Sequence, residues 1–452
     1  MKQPRKSLVI STILLVFAWC AHHLIWGGDI DPPDTSDLLP TPEVVPDEEN
    51  AYFPLDEAFQ LLQMTWEEGN ALDEHLKGKK PMSAEALDDL LAKNQAALDR
   101  LPAALERPRL RVPPEPPRSA KPSFISNSLN VLRLLRAKTR LAIESSSLDS
   151  GVTACVLRMH FAERLVLQGR DGIMLIVGID FGHRETLKDM RRMCRHPLAT
   201  PEQLRTMASA IDQMGDRSPC ILSAMQYEYL FFTRRLDKIS NGTIDIHKLS
   251  DWGDGKLIPL PKGTPLCAYI FKPNYTKLAM ADYTRMIIQN VGLYYSSWGK
   301  GEDQYAAFGL ERINFKMLWT KSNVVGAMIF VESAIFGAPF GYLNRECALK
   351  CDAAGTRIML ACRLFELEKG RMPDKLEELV PELLPTVPAD PFDGKPMRYD
   401  ARRKVVYAVG PDLIDSGGST NKVEKSIQGW TREPWNREDI VYPMGLENSV
   451  TN

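Results

Sequence analysis

The stretch from Ser7 to about Gly27 constrains this chain more than any other, because it is apolar and broken only by His22 and His23. Lys2, Arg5 and Lys6 precede it, and Asp29, Asp31 and Asp34 follow at once. A helix of about 20 apolar residues crosses a bilayer, and a basic flank favours the cytoplasmic side. The spacing therefore predicts a membrane anchor over residues 1–27, with the bulk of the chain extracytoplasmic (periplasmic) and the protein single-pass in the cell membrane. A cleaved signal peptide is the alternative, although Ala18-Trp19-Cys20 is a mediocre cleavage site. A lipoprotein anchor on Cys20 is disfavoured by the bulk of Trp19.

Beyond the anchor, charge says little about partners. Basic and acidic residues number 56 and 58, for a net charge of -2, which gives no argument for nucleic acid. Residues 28–50 are acidic and Pro-rich with no Lys or Arg, a composition expected to form an extended tether. Residues 51–320 read as an α-helical domain. Leu87, Leu90, Leu91, Ala97 and Leu98 recur at helical intervals, as do Val131, Leu134, Leu135, Leu141 and Ala142. Thr200-Pro201-Glu202-Gln203 marks a helix start. A second Pro-rich linker spans residues 107–122 and is basic. The two linkers carry opposite charge, and solvated segments are the expectation because exposed ion pairs contribute little. A further apolar run covers 323–343, expected as a buried helix; a second span, disfavoured because Glu332 is costly in lipid, and a relic of a pilin-type stem are the alternatives.

Residues 321–452 are expected to form a long helix followed by a small α+β module. An apolar stripe (Ile358, Ala361, Cys362, Phe365) leads to Gly370, which ends a helix where a left-handed conformation is easiest. Pro373 can open a short second helix, and Pro381 stops it. Asp393-Gly394 is a turn signal before the possible strand Met397–Tyr399, and Val405–Val409 follows as a second strand. The two strands could pair as a hairpin packed on the helix. The chain is thus expected to be mainly α, with an N-terminal membrane helix, a large helical domain and this small α+β end.

The order Gly370-Arg371-Met372-Pro373, Asp390–Gly394, Tyr407–Gly410 and Asp412–Gly418 resembles the C-terminal globular part of the major pseudopilin of type II secretion systems. The resemblance covers about residues 352–418, and the rest is similar to large bacterial envelope proteins of unassigned function. It implies an acidic glycine-rich loop that binds calcium, with Asp412 and Asp439 as ligands. Asp415 joins them on composition and proximity. Calcium accepts six to eight oxygens from carboxylates and carbonyls. The same residues also read as an Asp/Gly turn with no metal, and both readings stay open.

Catalytic signals are weak. The HExxH, GxSxG, P-loop and GxGxxG patterns are absent. His160 and Glu163 share a helix face and His183 lies one element away, so an acid/base or metal pair is conceivable; a simple hydrogen-bonded pair is the plainer reading. Glu67, Glu68, Asp73 and Glu74 near Trp66 read as a solvated face. Arg133, Arg136, Lys138 and Arg140 could touch phosphates, and their place opposite the leucine stripe instead argues for a basic outer face. The cysteines outside the anchor (Cys155, Cys194, Cys220, Cys267, Cys347, Cys351, Cys362) form no framework and read as small buried hydrophobes, with disulfide pairing left open. These observations favour a structural or interaction protein, linked to secretion or pilus-like assembly, with envelope proteins as partners. An extracytoplasmic ligand-binding module and a hydrolase are the alternatives.

Overall fold

The computed structural model describes residues 14–18, 29–41, 44–112, 124–168, 175–241, 243, 271–298, 323, 326, 339–423, 430 and 433–445. Their elements are mainly helical, with one small sheet. The chain divides into two compact units: one takes residues 1–41, 225–290 and 299–339, the other residues 42–224, 291–298 and 340–452.

The larger unit begins with α1 (Tyr52–Phe59), α2 (Trp66–Leu76), α3 (Ala84–Asp99) and α4 (Leu101–Leu105). Thr65 and Glu68 form a capping box that starts α2, so two orphan amides are satisfied by side chains of the first turn. The long helices α5 (Phe124–Glu144) and α6 (Leu148–Gln168) follow. Val131, Leu134, Leu135 and Ala142 on α5 are buried as their spacing predicts, and the first three pack in one core with Leu55, Leu72, Leu90, Phe161 and Leu165. A π-helical segment, Val177–Arg184, runs into α7 (Glu185–Arg195). The capping box of Thr200 and Gln203, with Pro201 at the first position, opens α8 (Pro201–Asp212) as the sequence predicts.

Helix α9 (Ser218–Ser240) leads from this unit into the smaller one, which contains α10 (Pro273–Ile288). There the acidic N-terminal segment is not a free tether. Arg285 Nη2 lies 2.7 Å from Asp37 Oδ1, and Asp29 accepts from the amides of Asn274 and Tyr275 at the start of α10. Anions at a helix N-terminus meet unsatisfied N–H groups, which accounts for Asp29. The described start of the second linker, residues 107–112, departs from expectation in the same way. Arg109 pairs with Glu49, Arg107 Nη1 donates to the carbonyls of Asp47 and Asn50, and Asn50 bridges to residue 111. Backbone partners supply what solvated ion pairs alone would not.

The C-terminal part of the larger unit is built on α11 (Pro339–Lys369). Gly370 ends it at φ 72°, and Gly394 turns at φ 77°, as their positions predict. Strands β1 (Arg398–Asp400), β2 (Val405–Val409) and β3 (Asp439–Pro443) form an antiparallel sheet in the order β1-β2-β3, with Arg398 opposite Tyr407 and Tyr407 opposite Val441. Tyr399 donates from its hydroxyl to the carbonyl of Pro373 at 2.9 Å, tying the hairpin to the turn after α11. Phe392, Trp430, Trp435 and Tyr295 pack ring against ring beside it.

The expected membrane anchor is not supported. Among the described residues no helix is long and apolar enough to cross a membrane. Of residues 7–27 only Leu14–Ala18 is described, as an exposed helical stretch. The long helices fail for a physical reason: α11 carries Arg345, Glu346, Lys350, Asp352 and Arg357 along its length, and each charge is costly in hydrocarbon. The membrane as partner, the transmembrane signal-anchor and the single-pass extracytoplasmic placement are corrected accordingly. Most of the apolar run 323–343 and of the irregular insert 242–273 lies outside the described residues; the last part of the run, 339–343, belongs to the helix Pro339–Lys369. Six cysteines are free among the described residues, and five of them are buried; burial pushes the thiols of Cys155 and Cys194 up to about 12.

Candidate functional site

Two glycines set the site's geometry. A Cβ on Gly182 would overlap that of Ala162 on α6 and lie 3.3 Å from its Cα, and one on Gly178 would meet Val166. Their absence lets the π segment lie directly on α6. π-Helical turns often occur at functional positions, and here Asp180, His183 and Arg184 all project from one.

His183 is fully buried and faces α6. Its Nε2 lies 2.8 Å from Glu163 Oε2, too poorly aligned for a good hydrogen bond, and its Nδ1 lies 2.8 Å from Met159 Sδ. Glu163 also accepts from the Gly215 amide at 2.6 Å and pairs with Arg217 at 3.3 Å. Arg217 continues to Glu346 on α11 at 2.9 Å. Burial keeps the His183 imidazole neutral to lower pH than usual, although Glu163 pulls the other way. Burial also opposes the charge on Glu163, but His183, Arg217 and Gly215 outweigh it and hold the carboxyl below its ordinary range. The sequence paired Glu163 with His160 first; His160 is exposed, and His183 is the residue that meets the carboxylate.

The opposite side of the π segment grips the C-terminal part. Arg184 Nε lies 3.1 Å from Asp352 Oδ2, and Arg345 Nε lies 2.8 Å from Asp180 Oδ2. Tyr442 on β3 donates to Asp352 at 3.3 Å, with Arg191 over its ring and Arg184 over that of Trp435. This network joins π segment, α7, α11 and β3 into one body. Sequence reasoning missed it, because its members lie far apart along the chain.

The three residues named for calcium sit around the loop that follows β2. Asp439 accepts from the amides of Gly418, Ser419 and Ser416 at 2.8, 3.0 and 3.4 Å. Asp415 accepts from the Gly417 amide and from Arg398 Nε at 3.1 Å, and Asp412 from the Ile414 amide. Among the described residues no group of three or more His, Cys, Asp or Glu side chains could hold a metal ion. Arg398 was not foreseen. It lies 2.6 Å from Asp390, 2.5 Å from Asp393 and 3.1 Å from Asp415. Burial pushes the Asp390 carboxyl up to about 6, against the Phe392 and Val409 amides that favour its charge. The close spacing of Asp390, Asp393 and Arg398 is the signal that could have revealed this knot.

The remaining candidates resolve into local structure. Glu68 caps α2 and pairs with Lys93, while Asp73 pairs with Lys77 and Glu74 with Lys79. Arg136 and Arg140 do not form an outer face: both turn toward α7, to Glu185 and Asp189. Comparison with family models, curated proteins and solved structures gives no match to this chain.

Proposed function

We propose that this chain is a structural or interaction protein, and that its C-terminal α+β module makes contact with a protein partner. One observation carries the reading. The turn leaving β2 presents Leu413 and Ile414 to solvent, 38% and 61% exposed, with Leu413 at φ 62°. A bulky residue with positive φ is held there at a cost, and such outliers gather at functional positions. The turn is braced rather than loose: Leu413 N–H donates to Gly410, Asp412 accepts from Ile414, and the Asp439 and Arg398 contacts hold the residues that follow. A rigid apolar tip loses little entropy on docking. The pseudopilin-like order of motifs supports a secretion- or pilus-type assembly as the setting.

A photo-crosslinking residue at Ile414 of the full chain in its native cell tests this. We expect one discrete protein adduct that is missing from the same probe at exposed Leu198 and lost with Leu413→Gly. Equal adducts at both positions, or none at either, would refute the proposal.

A further inference from the structure

The charge around Asp189 does not balance. This carboxylate is fully buried on α7, and four guanidiniums converge on it. Arg140 Nε lies 2.7 Å and Arg192 Nη1 3.4 Å from Oδ1, while Arg158 Nη2 lies 2.8 Å and Arg136 Nε 3.9 Å from Oδ2. Glu185 adds one carboxylate, paired with Arg136 and with Lys188. Among the described residues, five cationic side chains thus face two carboxylates, an excess of three positive charges. Buried charges are ordinarily matched by partners. Two N–H groups of the cluster, Arg158 Nη1 and Arg136 Nε, are buried with no hydrogen-bond partner. Burial lowers the affinity of Arg136 for its proton, Glu185 and Asp189 oppose this, and the like charges of Arg140 and Arg158 add to it.

The cluster is not sealed. Arg192 is 37% exposed and Arg140 21%, and both approach the same oxygen of Asp189, one from α7 and one from α5. Asp189 therefore acts as an anchor that holds two solvent-reaching guanidiniums side by side. Guanidinium forks match tetrahedral oxyanions and bind them through paired N–H donors. We propose that Arg140 and Arg192, supported by Arg136, bind a phosphate group, either as free phosphate or as the head of a phosphomonoester. The site is independent of the docking tip after β2, since it lies on α5 and α7.

Isothermal titration of the full chain with inorganic phosphate tests it, with glycerol 3-phosphate as the second arm and chloride as the control. Saturable binding is expected for phosphate or for the monoester; tighter binding of the monoester identifies it as the source, and tighter binding of phosphate identifies the free ion. Arg192→Gln and Arg140→Gln should each weaken binding about tenfold or more, the loss of a charge-assisted hydrogen-bond pair. Arg205→Gln, at an exposed arginine paired with Glu368, should leave it unchanged. Because Arg192 and Arg140 reach solvent, circular dichroism should show both variants folded. If either fails to fold, its Lys variant, which keeps the charge and loses the fork, replaces it and should weaken binding in the same way. No saturable binding in either arm, or binding indifferent to both arginines, overturns the proposal.

Discussion

Replacing Gly355 by alanine tests whether β3 is seated on α11. Gly355 lies inside that helix, where alanine would ordinarily help by about 1 kcal/mol. Here its Cβ would come within 2.5 Å of Tyr442 Cε2 and 2.7 Å of Cγ, distances that packed atoms do not adopt. The ring cannot step aside freely. Its hydroxyl is bonded to Asp352 and Cys351, Arg191 lies over its face at 5.3 Å, and its backbone is paired with Val406. Overpacking of a core costs about 1–3 kcal/mol, and a clash with a whole ring belongs at the upper end. Subtracting the helix gain leaves a net loss of about 1–2 kcal/mol. Urea unfolding of Gly355→Ala, Tyr442→Ala and the double variant measures this as a cycle. With the ring removed, the alanine should instead stabilise by about 1 kcal/mol, giving a coupling of about 2–3 kcal/mol. An alanine that stabilises the otherwise unchanged protein would show that the strand does not pack against this face of the helix.

Three further outcomes follow from the geometry. The folded protein resists protonating buried His183, whereas the unfolded chain takes up that proton near pH 6.5. Stability should therefore fall as pH drops below 6.5, by at most about 1.4 kcal/mol per pH unit from this group. His183→Gln should flatten the slope between pH 6.5 and the lower folded value, and an unaltered slope in chemical denaturation would remove His183 as its source. Leu413→Gly relieves a left-handed conformation that costs about 1–2 kcal/mol and adds unfolded-chain entropy of about 0.4–1. The variant should melt at the same temperature or higher, and a clear drop would show that the leucine packs in the fold. Asp439 and Asp415 already accept backbone amides and Arg398, so millimolar calcium should leave the melting temperature unchanged. A rise that Asp439→Asn abolishes would instead show a calcium site there.

Local signals carried most of the secondary structure. The leucine stripe of α5, the Thr200–Gln203 helix start, Gly370 after α11 and the β2 strand all appear where spacing and residue type put them. Each rests on interactions within a few residues: a cap, a left-handed glycine, an apolar period. The apolar N-terminal run shows the limit of such reasoning. Hydropathy measures only composition along the chain, and no helix among the described residues has the length and apolarity to cross a membrane.

The candidate sites were less legible. His160 and Glu163 looked like partners because they share a helix face, yet the carboxylate meets His183, brought onto α6 by the close approach that Gly178 and Gly182 permit. Arg136 and Arg140 looked like a free basic face because their helix has one leucine stripe, but α7 brings Glu185 and Asp189 against them while leaving Arg140 partly open to solvent. Sequence alone determined which residues could cap, turn or line a core, since those preferences act within one or two helical turns. The tertiary structure decided which charges meet, because an ion pair depends on the distance between side chains from remote segments, and only the packing of helices sets that distance.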